Sequence, residues 1–190
     1  MREETEDSKE SYESFLSVLF DEEELNIWDY NRVIKDINGY NPTDFLRAIA
    51  EHFDITPLEE AYKPQEKYSY GMMLGNQWYR LDLKQTHDVG QGIESLDIQV
   101  LSDLVLNPIL GIKDQRTDPR IDFVGGIRGM DGLSKRVKSG QWALAFSIHP
   151  VSMKELFDVA DSGEVMPPKS TWFEPKLRSG LFINHFNQTS

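Results

Sequence analysis

The sequence predicts an α+β fold with a mixed β-sheet, on three observations. The first half holds strand-like segments returning through turn residues. Amphipathic helical periods separate them. The second half alternates strand, helix, strand, helix and strand over 121–186.

Taken in order, "SFLSVLF" (14–20) reads as a strand, "DEEE" as a turn and "LNIWDYNRVI" (25–34) as the returning strand. Alternation places Asp29, Asn31 and Val33 on one face of that strand, and Trp28, Tyr30 and Arg32 on the other. "NPTDFLRAIAEHFDI" predicts a helix that Thr43 can cap and Pro42 delimits, with Phe45, Ile49 and Phe53 on one face. "YSYGMML" and "QWYRLDL" form a hairpin in which Gly75 and Asn76 supply the positive-φ turn. "SLDIQVLSDLVLNPILG" is a helix started by Ser95 and ended by Pro108. "IDFVGG" is a strand, "MDGLSKRVKSG" a helix closed by Gly140, and "QWALAFSIHP" a strand with Trp142, Leu144, Phe146 and Ile148 on one face. Ser152 and Glu155 make a capping box for the next helix, and "GLFINHF" (180–186) is the last strand. Residues 1–13 read as a solvated acidic arm and 14–190 as a single α+β domain.

The chain has 190 residues, no cysteine and a formal net charge of −12. It needs no disulfides, and the expected location is cytoplasmic. The arm lacks the apolar run of a signal peptide, and no segment approaches the ~20 apolar residues of a membrane span. Net negative charge argues against nucleic-acid and membrane partners. No histidine has a second one at metal-ligand spacing, so no zinc site is expected. His149, at a strand exit, is the one histidine singled out for a site.

Three segments can carry chemistry. Gly125, Gly126, Ile127, Arg128 and Gly129 form a glycine-rich bend between strand and helix, able to aim amides and the Arg128 guanidinium at an anion. The alternative is a tight turn only. "KDQRTDPRIDF" (113–123) alternates charges. It reads as a self-paired loop, or else Asp122 serves as acid/base or metal ligand. In "EVMPPKSTWFEPKLRSG" (164–180), Pro167, Pro168 and Pro175 stiffen a loop presenting Lys169, Ser170, Thr171, Lys176, Arg178 and Ser179 for anion binding, with Glu174 as base. The alternative is a clasp with Trp172 in the core. Asp29 and Arg32 are further candidates, most simply a structural pair.

Together, "DYNRVIKDINGY", "NPILGIKDQRTDPRIDFVGGIRG", "SGQWALAFSIHPVS" and "GEVMPPKSTWFEPKLRSGLF" resemble the C-terminal part of the prokaryotic family called domain of unknown function 1015, over roughly 14–186. The resemblance implies a longer family protein whose N-terminal part is ParB-like and ends in a Gly-His-His-Arg phrase. That phrase is absent from this sequence. It implies a ParB-like kinase, phosphotransfer protein or hydrolase as the setting, serine or phosphoserine metabolism as the context, and no particular cofactor. The expected function is binding of a small anion, a phosphorylated amino acid or nucleotide phosphate, with the glycine bend and the Pro-Pro loop converging in space. The alternative is a non-catalytic module that docks on the N-terminal portion or on a second copy of the chain.

Overall fold

The computed structural model describes residues 17–176 and 180. Contacts divide the chain into two units, Ile27–Glu174 and one formed by Met1–Asn26 with Pro175–Ser190. In the latter, 17–20 carry no regular structure, so the predicted strand over 14–20 is not formed there; its first residues lie outside the described ones. The expected turn is a 3₁₀ turn, Glu22–Glu24, with the Asp21 side chain accepting from the Glu23 amide.

The predicted strand 25–34 is two strands, β1 (Asn26–Trp28) and β2 (Tyr30–Ile34), broken at Asp29. Then come α1 (Pro42–Ala50), β3 (Phe53–Leu58), β4 (Ser69–Leu74), β5 (Gln77–Leu83), α2 (Asp97–Leu101) and a π-helical turn, Ser102–Leu106. They are followed by β6 (Ile121–Gly125), α3 (Gly129–Lys138), β7 (Leu144–Ser147), α4 (Met153–Asp161) and β8 (Trp172–Glu174). The α+β class is as the sequence predicts.

Six strands form one sheet in the order β3-β5-β4-β7-β2-β6, and β1 pairs with β8 in a small second sheet. All five pairings in the large sheet are antiparallel. Since β6 and β7 both run against β2, they are parallel to each other. The β6–α3–β7 crossover therefore spans an intervening strand, which is how β–α–β alternation coexists with antiparallel pairing.

Each face of the sheet buries a cluster. Ile34, Tyr70, Met72, Leu81, Leu144 and Phe146 pack with Phe45 and Ile49 of α1 and Leu101 of α2. Val33, Met73, Trp78, Val124 and Ala145 pack with Leu133 and Val137 of α3. Trp142 joins this second cluster, not the face of Leu144 and Phe146, because β7 starts only at Leu144 and the alternation does not reach back to it.

Several ends differ from expectation for local reasons. Asn41 caps α1, accepting from the Asp44 amide, and Pro42 is the first helical residue, where its missing N–H costs nothing. Phe53 leaves that helix and opens β3, an edge strand that tolerates Pro57. At the β4–β5 turn only Gly75 takes positive φ, at +57°; Asn76 does not. Leu96, not Ser95, precedes α2. The Ser152–Glu155 capping box forms as expected. The strand predicted at 180–186 lies outside the described residues, apart from Gly180, which is in a turn.

Asp97 anchors α2. Its carboxylate accepts from the Tyr68 amide at 2.6 Å, its carbonyl accepts from the Tyr70 hydroxyl, and it is 5% exposed. Burial pushes its carboxyl up to about 7 against the opposing pull of the Tyr68 N–H and Lys67. An unfolded Asp titrates near ~3.9. Between the two values the unfolded chain has lost a proton that the folded chain keeps, so stability falls as pH rises from about 4 to about 7 and then levels. Urea unfolding at pH 5 and pH 7 should show that loss, and Asp97→Asn should flatten it.

Close approach requires Gly71. A Cβ there would sit 2.3 Å from both Ser147 Oγ and the Tyr62 carbonyl, which are themselves joined by a 2.7 Å hydrogen bond. Gly71→Ala should lower unfolding free energy by about 1–3 kcal/mol in the same assay.

Candidate functional site

β2 buries polar residues that a strand in a sheet core would ordinarily exclude: Asn31 at 1% exposure and Arg32 at 0%, just after Asp29 at 2%. Asn31 Oδ1 accepts from the Ile148 amide at 3.0 Å, and its Nδ2 donates to Asp29 Oδ2. The Lys63 ammonium stands 3.2 Å from Asp29 Oδ1 and balances the charge, although Oδ1 accepts no well-directed hydrogen bond. The glycine bend seats this carboxylate. Gly126 N donates to the Asp29 carbonyl at 2.7 Å, and a Cβ on Gly126 would fall within 2.1–2.6 Å of the carboxylate atoms.

Arg32 points to the opposite face. Its Nη1 donates to the Tyr30 carbonyl, its Nη2 to the Pro168 carbonyl at 3.3 Å and its Nε to Gln115 Oε1 at 3.3 Å. The guanidinium carbon lies 5.0 Å from the centre of the Phe123 ring. Among the described residues no carboxylate pairs with it, and burial pushes its pKa down to about 9, so it remains a cation at neutral pH. Burying a charge against neutral acceptors alone is costly, because its desolvation is offset only in part.

Gln115 passes this charge outward. With Oε1 held by Arg32, its Nε2 donates to Ser102 Oγ at 3.3 Å. An accepting hydroxyl keeps its own proton to donate. Arg32, Gln115 and Ser102 thus form a chain polarised in one direction, with its donor end on a groove of about 540 Å³ beside Pro167 and Pro168. The acids of the groove are engaged: Gln99 donates to both oxygens of Asp103 at 3.0 Å, and Arg116 donates to Asp114 at 3.1 Å. Hydrogen bonds from Arg116 hold the Asp114 carboxyl below its usual range. Lys113, on the groove wall, pairs with no carboxylate among the described residues.

The glycine bend and the Pro-Pro loop do converge. Trp172 ring carbons lie 2.7–2.8 Å from where a Cβ of Gly125 would be, so the indole itself fills the junction. Lys169 is exposed, adopts φ +54° and places Nζ 5.9 Å from the centre of the Tyr30 ring. Ser170 is buried and Thr171 half-buried. Glu174 accepts from Trp172 Nε1 at 2.8 Å. Arg128 is exposed and makes no ion pair among the described residues. Asp122 is not with this group: it pairs across β2 with Val33, on the α3 face, and binds Arg136 at 2.8 Å. His149 is half-buried, with an Nδ1 that has no hydrogen-bond partner. Lys176 falls in the other unit, and Arg178 and Ser179 lie outside the described residues.

Sequence reading missed Ser102, Lys113 and Gln115 as a group. The self-paired reading of 113–123 holds for Asp114 with Arg116 and for Asp118 with Arg120, but Lys113 and Gln115 escape it. The available signal was a lone glutamine inside a charged run.

The chain belongs to the family described as "Protein of unknown function (DUF1015)", whose sequence model matches residues 1–99. The matched part contains Asp29–Arg32; the glycine bend and the Pro-Pro loop lie beyond it. No curated protein matches the sequence. Solved structures similar to it include a free serine kinase in complex with AMP, at 14% identity and TM-score 0.45, covering 79% of this chain and 54% of that one. Another is a conserved hypothetical protein from Pyrococcus furiosus, at 17% and 0.45, covering 80% and 56%. The chain thus spans little more than half the length of these structures, and likeness this weak assigns no role to any residue.

Because the three Arg32 contacts diverge from one planar group, a lysine cannot reproduce them. Arg32→Lys should cost about 2–4 kcal/mol in urea unfolding, leaving the buried Gln115 oxygen and the half-buried Pro168 carbonyl without this donor.

Proposed function

We propose that Ile27–Glu174 binds a small anionic metabolite in the groove beside Pro167 and Pro168. The observation that carries this reading is the buried Arg32 cation, which has no carboxylate partner among the described residues and is linked through Gln115 to a donor hydroxyl in that groove. A bound anion would supply the missing counter-charge at a distance, while Lys113 would meet it directly and the Asn107 side chain would add a neutral polar contact. A phosphorylated amino acid or a nucleotide phosphate fits the groove's size and its mix of hydroxyl, amides and a lysine that pairs with no carboxylate among the described residues. Serine or phosphoserine metabolism is the context that the sequence resemblance suggests. Lys169 lies next to the groove in sequence but faces Tyr30, so its role would be to hold the loop.

The groove is assigned binding and no reaction. Neither carboxylate offered by the sequence as a base stands at the groove, since Asp122 is held by Arg136 and Glu174 by Trp172. The alternative, a module docking on an N-terminal portion or a second copy, draws on one observation: Trp172 packs over Gly125 as a clasp would. A clasp accounts for the tryptophan and leaves the Arg32 charge unexplained.

Thermal unfolding with phosphoserine, ADP or ATP tests this. A ligand present at about 100 times its Kd stabilises by about 2.7 kcal/mol, a rise of several degrees. The shift should disappear in the folded Ser102→Ala/Lys113→Ala variant. No shift with any of the three, or one unchanged in that variant, overturns the groove assignment.

A further inference from the structure

The sequence keeps His52 and His87 thirty-five positions apart, yet the fold joins them. β3 and β5 pair with Phe53 opposite Leu83, which sets His52 against Lys84, and the Lys84 amide donates to the His52 carbonyl at 3.0 Å. The chain then folds back, with the His87 amide donating to the Lys84 carbonyl at 3.1 Å. Backbone hydrogen bonds thus fix both positions. His52 Nδ1 and His87 Nε2 face each other at 3.3 Å, with ring planes inclined at 53°.

The two rings share a hydrogen bond at this distance, and the same separation suits a shared metal ion. Two imidazole nitrogens about 2.0–2.1 Å from one tetrahedral metal ion stand about 3.3 Å apart. The nearby Lys84 ammonium donates to the Ala50 carbonyl. His87 also lines a cavity of about 170 Å³ with Asp88, Glu94 and Asp103, the last hydrogen-bonded by Gln99 and shared with the anion groove.

We propose that His52 and His87 form a two-histidine site for a borderline divalent ion such as Zn²⁺ or Cu²⁺. Among the described residues no three histidine, aspartate or glutamate side chains converge as a metal-holding group, so water supplies the remaining ligands and the ion exchanges freely. This proposal is independent of what the anion groove binds.

Titration of the full chain with Zn²⁺ by calorimetry and with Cu²⁺ by electron paramagnetic resonance, both at pH 7, decides it. One equivalent should bind, with two nitrogens coupled to the copper. His52→Ala and His87→Ala should each weaken binding at least about tenfold, since even outer-shell partners contribute that much. A His149→Ala/His185→Ala variant should bind as the parent does. Affinity retained in the His52→Ala/His87→Ala double variant, loss in the His149→Ala/His185→Ala control, fewer than two coupled nitrogens, or no binding by the folded parent overturns the proposal. If His52→Ala fails to fold, His87→Ala decides alone, since His87 is on a loop outside the sheet.

Discussion

A single guanidinium organises the candidate site. Arg32 stands on an interior strand with no exposed surface, and its three directions of donation reach three parts of the chain: its own strand at Tyr30, the loop at Gln115 and the proline segment at Pro168. Without it the buried Gln115 oxygen and the half-buried Tyr30 and Pro168 carbonyls would lose this donor. The positive charge that comes with this geometry is not cancelled by any described carboxylate. Structure and electrostatics are therefore linked. The residue that fixes the proline segment also polarises the groove beside it.

The glycine bend serves both faces of the same strand. Asp29 breaks the strand and needs room, which Gly126 gives by having no Cβ. Gly125 gives room to Trp172. Both glycines are thus explained by close packing, and the bend's amide at Gly126 is already satisfied by the Asp29 carbonyl. Charge and aromatic surface are layered here, with Lys63 over Trp28 and Lys169 over Tyr30. The π-helical turn that carries Ser102 is a common device for setting a side chain at a site, because the extra residue rotates the following helix face.

Much of the fold was legible. Helix α4 announced itself by a capping box, the β4–β5 hairpin by its glycine turn, and the β–α–β alternation by its spacing. β3 was not legible, because Phe53 continues the i, i+4 period of α1 and only strand pairing with β5 overrides it. The alternation on β2 follows from the sequence, but no local pattern shows that Arg32 is buried. The bend and the proline loop converge as the sequence leads one to expect, whereas the indole filling their junction leaves no signature in it. The groove depends on Gln115 and Ser102, which are thirteen residues apart and carry no charge. The meeting of His52 and His87 is likewise a product of strand register, which spacing rules for metal ligands do not capture.

The most direct test of the central claim is a nitrogen-15 NMR titration of the chain with phosphoserine, following the Gln115 side-chain amide. If Arg32 polarises the groove through Gln115, that amide and the backbone signals of Ser102 and Lys113 will shift together along one binding curve. Shifts confined to Gly125 and Gly126, with the Gln115 amide unmoved, would contradict the account.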